Sequence, residues 1–475
     1  MSLPSLEPRE RYSPHLRTAL LFTGSGTAGA YHAGALRALH EAGVKIDIVG
    51  GCGMGAPTAL FAAVDASAHL SESNGLWRSA AVRRLYPFRP VLSLLAACIA
   101  VSLLAVIGPL LAAVAGLLVF PVAFFLGMLG LSWGPEAARA VVGWLYAAFE
   151  PAALPSLLPR LAVLGLAAAV VVLVIASVRG RKQLENRREH TRFWWLGLGG
   201  FLDRGPVVRE WRARLWRAIA GGPVGKQPQD RELSVRYAEL LADNLGQPGF
   251  RELLLVVHDI EARRDLVFAL LAERLRREFF GRRGRGPERA AEAFDLQAMA
   301  RDKALDVVAA ALSLPLATES HLLTFGADTY WRGETHHLTA RPESIARLIE
   351  EAGEAGATQI IVVSASTEPP GPHGLREHRA DPRSRYGDYL ASAEGAAVRD
   401  AVRAAAEASR VVFLIQPAYN PLNALDFRGR HDELSDRDFA LGELLERGYE
   451  DAYRQFIEPV VAAGGEQLDG RHEPA

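Results

Sequence analysis

Two glycine-rich turns, each set between a short apolar strand and a helix, occupy the segment Thr18 to Leu60 and constrain the chain more than any other stretch. A strand from Ala19 to Phe22 runs into Gly24-Ser25-Gly26-Thr27-Ala28-Gly29, and a helix follows with Leu36, Leu39 and Ala42 on one side. A second strand, Ile46 to Val49, enters Gly50-Gly51-Cys52-Gly53-Met54-Gly55 and then an alanine-rich helix. This alternation is the pattern of an α/β unit.

The second turn has the spacing G-x-S-x-G, in which a sharp strand-to-helix bend exposes the middle side chain. In Gly51-Cys52-Gly53-Met54-Gly55 the middle residue is Gly53, which has no side chain to expose. The pair of turns resembles the patatin-like phospholipases, where a G-G-G-x-R-G loop supplies oxyanion N–H groups, G-x-S-x-G the nucleophile, and a later D-G-G or D-G-A the aspartate of a Ser-Asp dyad. The loop Gly24, Ser25, Gly26 and Gly29 is similar to the first motif, with Ala28 in place of its arginine. Gly51 and Gly55 frame the elbow. Tyr330-Trp331-Arg332-Gly333-Glu334, followed after a helix by the apolar run Gln359 to Ser364, resembles the third motif, with Arg332 at the aspartate position.

The resemblance extends through Leu202 to Pro206, Leu253 to Asp259, Ser313 to Phe325, Leu425 to Phe427 and Gly448 to Ala452. It implies an α/β patatin-like three-layer sandwich with a central, mostly parallel sheet. It also implies that the dyad is vacated at Gly53 and Arg332, leaving a lipid-binding or regulatory pseudo-hydrolase. The alternative is a lipid acyl hydrolase or acyltransferase with a non-standard nucleophile such as Cys52, because a thiolate at a helix N-terminus is stabilised by the dipole.

Other readings attach to the same residues. Gly24 to Gly29 fits G-x-G-x-x-G, but a dinucleotide site wants an acidic residue at the end of the second strand, and Asp47 sits near its start. Ser25 carries a hydroxyl in the right neighbourhood, although a residue in such a loop more often offers its backbone N–H. Adjacent His336 and His337 point to opposite faces of a strand, so no metal site is expected. His258-Asp259 reads as a turn pair at a strand end. No cofactor is expected.

The second informative feature is an apolar insertion. No charged residue occurs from Val91 to Trp133, nor from Leu161 to Val178. A helix of about 18 residues spans about 27 Å, close to the hydrocarbon thickness of roughly 30 Å. The first stretch is expected to break at Gly108-Pro109. If the flanking strands belong to one domain, the number of crossings is even, two or four, the latter if Ala137 to Leu157 also inserts. Arg83, Arg84 and Arg89 precede the insertion, and Arg179, Arg181, Lys182, Arg187, Arg188 and Arg192 follow it, which places both flanks in the cytoplasm. Phe193-Trp194-Trp195 suits the headgroup level. The chain reads as a multi-pass cell-membrane protein with a cytoplasmic α/β domain and membrane lipids as partners.

The expected organisation is therefore residues 1–90 and 179–465 as one patatin-like domain, 91–178 as the transmembrane insertion, and 466–475 as a tail. A formal net charge of −1 gives no global field for nucleic acid. Cys52 and Cys98 are the only cysteines, so there is neither a disulfide framework nor a zinc site. The N-terminus lacks the apolar stretch of a secretory signal. Periodicity predicts helices at Asp265 to Phe280 and Ile345 to Ala355, and strands at Leu253 to Val257, His321 to Phe325, Ile360 to Ser364 and Val411 to Ile415. Arg282 to Arg289 reads as a linker and Glu368 to Asp388 as a loop.

Overall fold

The computed structural model describes residues 12–462 apart from 131–132, 150–156, 185–198, 221–224, 282–290, 371–380 and the single positions 328, 409 and 433. Arg187, Arg188, Arg192, Phe193-Trp194-Trp195, the Arg282 to Arg289 linker and the tail from Glu466 lie outside the described residues. The chain divides into two compact units, one formed by residues 1–87 and 203–475, the other by 88–202.

The first unit opens with strand β1 (Thr18–Thr23), helix α1 (Ala28–Glu41), strand β2 (Ile48–Cys52) and helix α2 (Gly55–Ala63). In the second unit lie α3 (Pro90–Met128), α4 (Trp133–Phe149) and α5 (Leu157–Leu184). The first unit resumes with α6 (Gly205–Ile219), α7 (Asp230–Asn244), β3 (Glu252–Asp259), β4 (Arg264–Leu270), α8 (Glu273–Gly281), β5 (Ala291–Asp295), α9 (Ala304–Ala311) and the pair β6 (His321–Thr324) and β7 (Thr335–Thr339). It closes with α10 (Ser344–Glu354), β8 (Gln359–Ser364), α11 (Pro382–Glu407), β9 (Val411–Ile415), the short pair β10 (Arg430–Asp432) and β11 (Arg437–Phe439), and α12 (Leu441–Ala452).

The main sheet runs β5-β4-β3-β2-β1-β8-β9, with the β6–β7 hairpin attached through β7 to the end of β3. The pairs around the glycine turns, β3–β2, β2–β1, β1–β8 and β8–β9, are parallel. A parallel sheet needs apolar side chains on both faces, and β1, β2 and β8 are buried along their whole length. Alternation sends Ala19, Leu21, Ile48 and Cys52 into one core layer with Ile345, Leu348 and Ile349 of α10 and Ala397, Val398, Ala401 and Ala405 of α11. On α12 and α1 the spacing is close: a Cβ at Gly34 would lie 1.8 Å from the Leu445 carbonyl, and one at Gly448 would lie 2.2 Å from that of Tyr31. The result is an α/β unit with a mostly parallel central sheet flanked by helices.

Several expected elements shift. The stretch from Asp265, expected to be helical through Phe280, is strand β4 up to Leu270 and helix only from Glu273. Leu266 to Leu270 is an unbroken apolar run, which periodicity cannot divide between helix and strand, and pairing with β3 decides it. Pro382 to Asp388, expected to be loop, is the first part of α11, whose N-cap Asp381 accepts from the Ser384 amide at 2.9 Å.

In the second unit α3 continues through Gly108-Pro109, so the expected break does not occur. The surrounding apolar residues all favour helix, and one lost backbone bond at the proline does not end it. Pro90–Gly108 and Arg160–Gly180 are long and apolar enough to cross a membrane, and only 11% and 6% of their apolar windows are buried within the protein. Small residues bring α3 and α5 together: Ser102 Oγ donates to the Ala162 carbonyl at 3.0 Å, and a Cβ at Gly165 would lie 2.4 Å from Ser102 Oγ.

The chain leaves and rejoins the first unit at neighbouring points, since the Asp203 amide donates to the Pro87 carbonyl at 2.8 Å.

Candidate functional site

Both glycine turns lie at the C-terminal ends of adjacent parallel strands, where an open α/β sheet places its ligands. The Met54 amide donates to the Gly24 carbonyl at 2.7 Å, so the elbow and the first loop are bonded directly to each other. Gly53 sits at φ +57°, a left-handed conformation that costs an L side chain about 1–2 kcal/mol. A Cβ there would lie 2.5 Å from the Gly24 oxygen. The space into which a nucleophilic side chain would start is therefore filled by a backbone carbonyl.

The N–H groups of the first loop are largely engaged. Thr27 donates from its amide to the Ala424 carbonyl at 3.0 Å and from its hydroxyl to the Asn423 carbonyl at 2.8 Å. A Cβ at Gly26 would lie 1.7 Å from the Ala424 oxygen, so the 423–424 backbone seals that side of the loop. Gly29 allows Trp77 to pack on the first turn of α1, where a Cβ would lie 2.1 Å from the indole. Gly51 and Gly55 serve close packing of the elbow, their added Cβ atoms falling 2.2 Å from the Gly55 oxygen and 2.1 Å from the Phe22 oxygen.

Ser25 is 6% exposed, and the carboxyl group beside its loop belongs to a residue that the sequence motifs do not point to. That residue is Glu394, itself buried. Glu394 lies on α11, one turn before Ala397 and Val398 on the same apolar stripe, and burial raises it to about 7 while neighbouring Ser25 pulls it down. A Cβ at Gly24 would lie 3.6 Å from its Oε2. The available signal was an acidic residue in register with Ala397, Val398, Ala401 and Ala405, a place where an unpaired charge is costly.

Cys52 faces the core layer under α10 and α11, and its Sγ donates to Thr23 Oγ1 at 3.3 Å. Burial pushes its thiol up to about 12, so at neutral pH it is not a thiolate. Nearby His32 is buried, its Nε2 bonded to the Thr23 carbonyl at 2.9 Å, and burial lowers it to about 4, leaving a neutral ring.

Arg332 occupies the turn of the β6–β7 hairpin at φ +43°. The neighbouring Trp331 indole donates to Glu292 on β5 at 2.8 Å. β5 stands three strands from β2 in the sheet, roughly 14 Å at the usual strand spacing. The hairpin turn is thus anchored toward the outer edge, while the carboxyl that reaches the glycine loops is Glu394.

The remaining candidates form pairs of their own. Asp47 accepts from the Thr18 amide at 2.9 Å and pairs with Lys45 at 3.1 Å, at the opposite end of the strands from the loops. His258 bonds Asp265 at 2.9 Å, and Asp259 bonds His336 Nδ1 at 2.6 Å. His337 pairs with Glu261, so the two adjacent histidines do take different partners. Donor atoms of Asp259, Glu261 and His336 lie within 4.8 Å of one another.

No curated protein matches the chain. Among solved structures it is similar to VipD from Legionella pneumophila, with 12% identity and a TM-score of 0.29 over 96% of this chain and 71% of that one. The sequence model for the patatin-like phospholipases matches residues 20–339, which contain both glycine turns, the insertion and the β6–β7 hairpin. The chain belongs to the patatin-like phospholipase family.

Proposed function

We propose that this protein is a membrane-anchored, lipid-binding member of its family in which the elbow no longer performs acyl transfer. The observation that carries this reading is the Gly24 carbonyl: it accepts from the Met54 amide and stands 2.5 Å from the place of a Cβ on residue 53. In serine hydrolases the nucleophile accounts for roughly 10⁶ in rate, about 8 kcal/mol of transition-state stabilisation. A glycine at that position supplies none of it, and no thiolate stands in, since the Cys52 thiol is pushed up to about 12 in the core.

Anchoring rests on Pro90–Gly108 and Arg160–Gly180, which cross twice and leave α4 on the far side. The adjacent exit and return at Pro87 and Asp203 favour an even number of crossings, because both ends of the insertion then lie on one side. Arginines 83, 84, 89, 179 and 181 at the flanks make that side the cytoplasm. Membrane lipids are the partners, and the glycine-loop end of the sheet is where their acyl or headgroup oxygens are held.

The test uses the full-length protein in nanodiscs with photoactivatable phospholipid and a fluorogenic phospholipid. Cross-links to peptides containing Gly24 to Gly29 or α11, without turnover, are expected. Steady phospholipid turnover that disappears in Cys52→Ala would return the chain to the acyl hydrolases. Impermeant maleimide should label a cysteine placed at Ala138 from outside intact cells, and labelling only after lysis would overturn the two-crossing topology.

A further inference from the structure

We propose that the β6–β7 hairpin is clasped to the end of β3 by a divalent metal ion of the zinc type, held by Asp259, Glu261 and the Nδ1 atom of His336. Donor atoms of these three side chains lie within 4.8 Å of one another. Asp259 ends β3, Glu261 stands in the turn that follows, and His336 comes from β7, whose Leu338 is in register with Asp259. Strand pairing therefore gathers the set. The two adjacent histidines do not both enter it, in keeping with their opposite faces, and the other ligands come from a different strand end.

Each of the three side chains is oriented by a group outside the set. Asp259 is fully buried, and its Oδ1 accepts from the Ala262 amide at 3.0 Å while Oδ2 stands 2.6 Å from His336 Nδ1. Glu261 accepts from the His337 amide at 2.6 Å and also pairs with the His337 ring. His336 Nε2 lies 3.4 Å from Glu334 Oε2, and the rings of Phe325 and Trp331 pack on the imidazole with centroids 5.0 and 4.5 Å away. Metal sites are supported in this way, with the far imidazole nitrogen donating to a carboxylate, the ligating carboxylates themselves hydrogen-bonded and apolar groups shielding one side.

The imidazole also carries the electrostatic argument. Carboxylates face both nitrogens of His336, yet a neutral ring has a single N–H, so one lone pair is turned on a carboxylate oxygen. A cation between Nδ1 and Asp259 removes that repulsion: the ring proton resides on Nε2, where Glu334 accepts it, and Nδ1 joins the two carboxylates as a ligand. A second ring proton is the competing solution, and it predicts no metal binding. Zinc takes histidine nitrogen and carboxylate oxygen at about 2.0–2.2 Å, so the donors draw together when it binds. Glu261, whose side chain is 42% exposed, is the ligand that moves in, and on its side the site opens to solvent. Three protein ligands leave the fourth position to water.

The experiment is calorimetric titration of the full-length protein in nanodiscs, stripped with chelator, using zinc, manganese, calcium and magnesium salts in turn. Wild type should bind one zinc ion. His336→Ala should abolish binding, and Glu334→Ala should weaken it about tenfold. Glu261→Gln, at an exposed position that the fold tolerates, should weaken it more than Glu334→Ala and keeps the test decisive even if the His336 variant folds poorly. His431→Ala, which removes an exposed imidazole beside Asp436 and Asp438, should leave it unchanged. Zinc should also slow amide hydrogen exchange in residues 321–339 and leave residues 430–439 unaffected. No zinc binding by wild type, or equal binding by wild type, His336→Ala and Glu261→Gln, would overturn the inference, and tighter binding of calcium or magnesium than of zinc would overturn the metal assignment.

Discussion

The backbone amide of Met54 donates to the carbonyl of Gly24, and that single 2.7 Å bond closes the two glycine turns onto each other. Restoring a serine at Gly53 therefore does not restore a nucleophile. The added Cβ meets the Gly24 oxygen, and the residue is held at a positive φ. Gly53→Ser, alone or with Arg332→Asp, should be destabilised by about 2 kcal/mol or more and show no turnover of fluorogenic phospholipid. Chemical unfolding and a release assay on the same preparations check both halves, and hydrolysis by the double variant would overturn the closed-elbow account.

Glu394 should make alkaline conditions unfavourable for the fold. Its carboxyl is raised from the usual 4.5 to about 7, so between those values the native state holds a proton that the unfolded chain has lost. Stability is full below about pH 4.5 and falls as pH rises through 7, by roughly 3 kcal/mol in all. Glu394→Gln lacks this slope, so its stability relative to wild type should rise steadily from pH 5 to pH 8. Denaturant midpoints at four pH values measure it, and parallel curves would contradict the burial of an ionisable carboxyl.

His32 acts in the opposite direction. Burial lowers it from 6.5 to about 4, so the unfolded chain takes up a proton in that interval that the native state refuses. Stability is full above pH 6.5 and is lost as pH falls to 4, again by roughly 3 kcal/mol. His32→Gln should flatten the acid limb between pH 6.5 and 4 without touching the alkaline limb set by Glu394. The two slopes are separable by testing each variant across the whole range.

Cys52 should be inert toward thiol reagents in the native protein. It is 2% exposed, bonded to Thr23 and pushed up to about 12. Iodoacetamide at pH 8 should leave the peptide containing Cys52 unmodified until denaturant is added. Rapid native labelling, read by mass spectrometry, would reopen a nucleophilic role for this residue.

The contact between α3 and α5 should be sensitive to side-chain size at one point. A Cβ at Gly165 falls 2.4 Å from Ser102 Oγ and 3.0 Å from the Cys98 carbonyl. Gly165→Leu should separate the two helices and lower the thermal midpoint in nanodiscs, whereas Val163→Leu, on an exposed face, should have no effect.

The glycine turns were readable in the sequence because their constraint is local: a strand that must bend sharply into a helix allows little besides glycine at Gly51 and Gly55. The apolar insertion was readable because the absence of charge over such a length has few explanations. Asp265 to Leu270 was not, since a run buried on both faces carries neither the helical nor the strand period. Glu394 was also missed, because it meets the Gly24 loop from a helix far along the chain. Arg332 illustrates the same limit, since its local motif says nothing of the bond by which Trp331 fixes the turn to β5.

The hydrogen bond between Asp203 and Pro87 also bears on how the insertion can be removed. To the α/β unit, everything between those residues is a loop whose ends already touch. Closing a long loop costs little more than closing a short one, because the entropy grows only with the logarithm of its length. By that measure, replacing residues 88–202 with a tight turn should cost the α/β unit little.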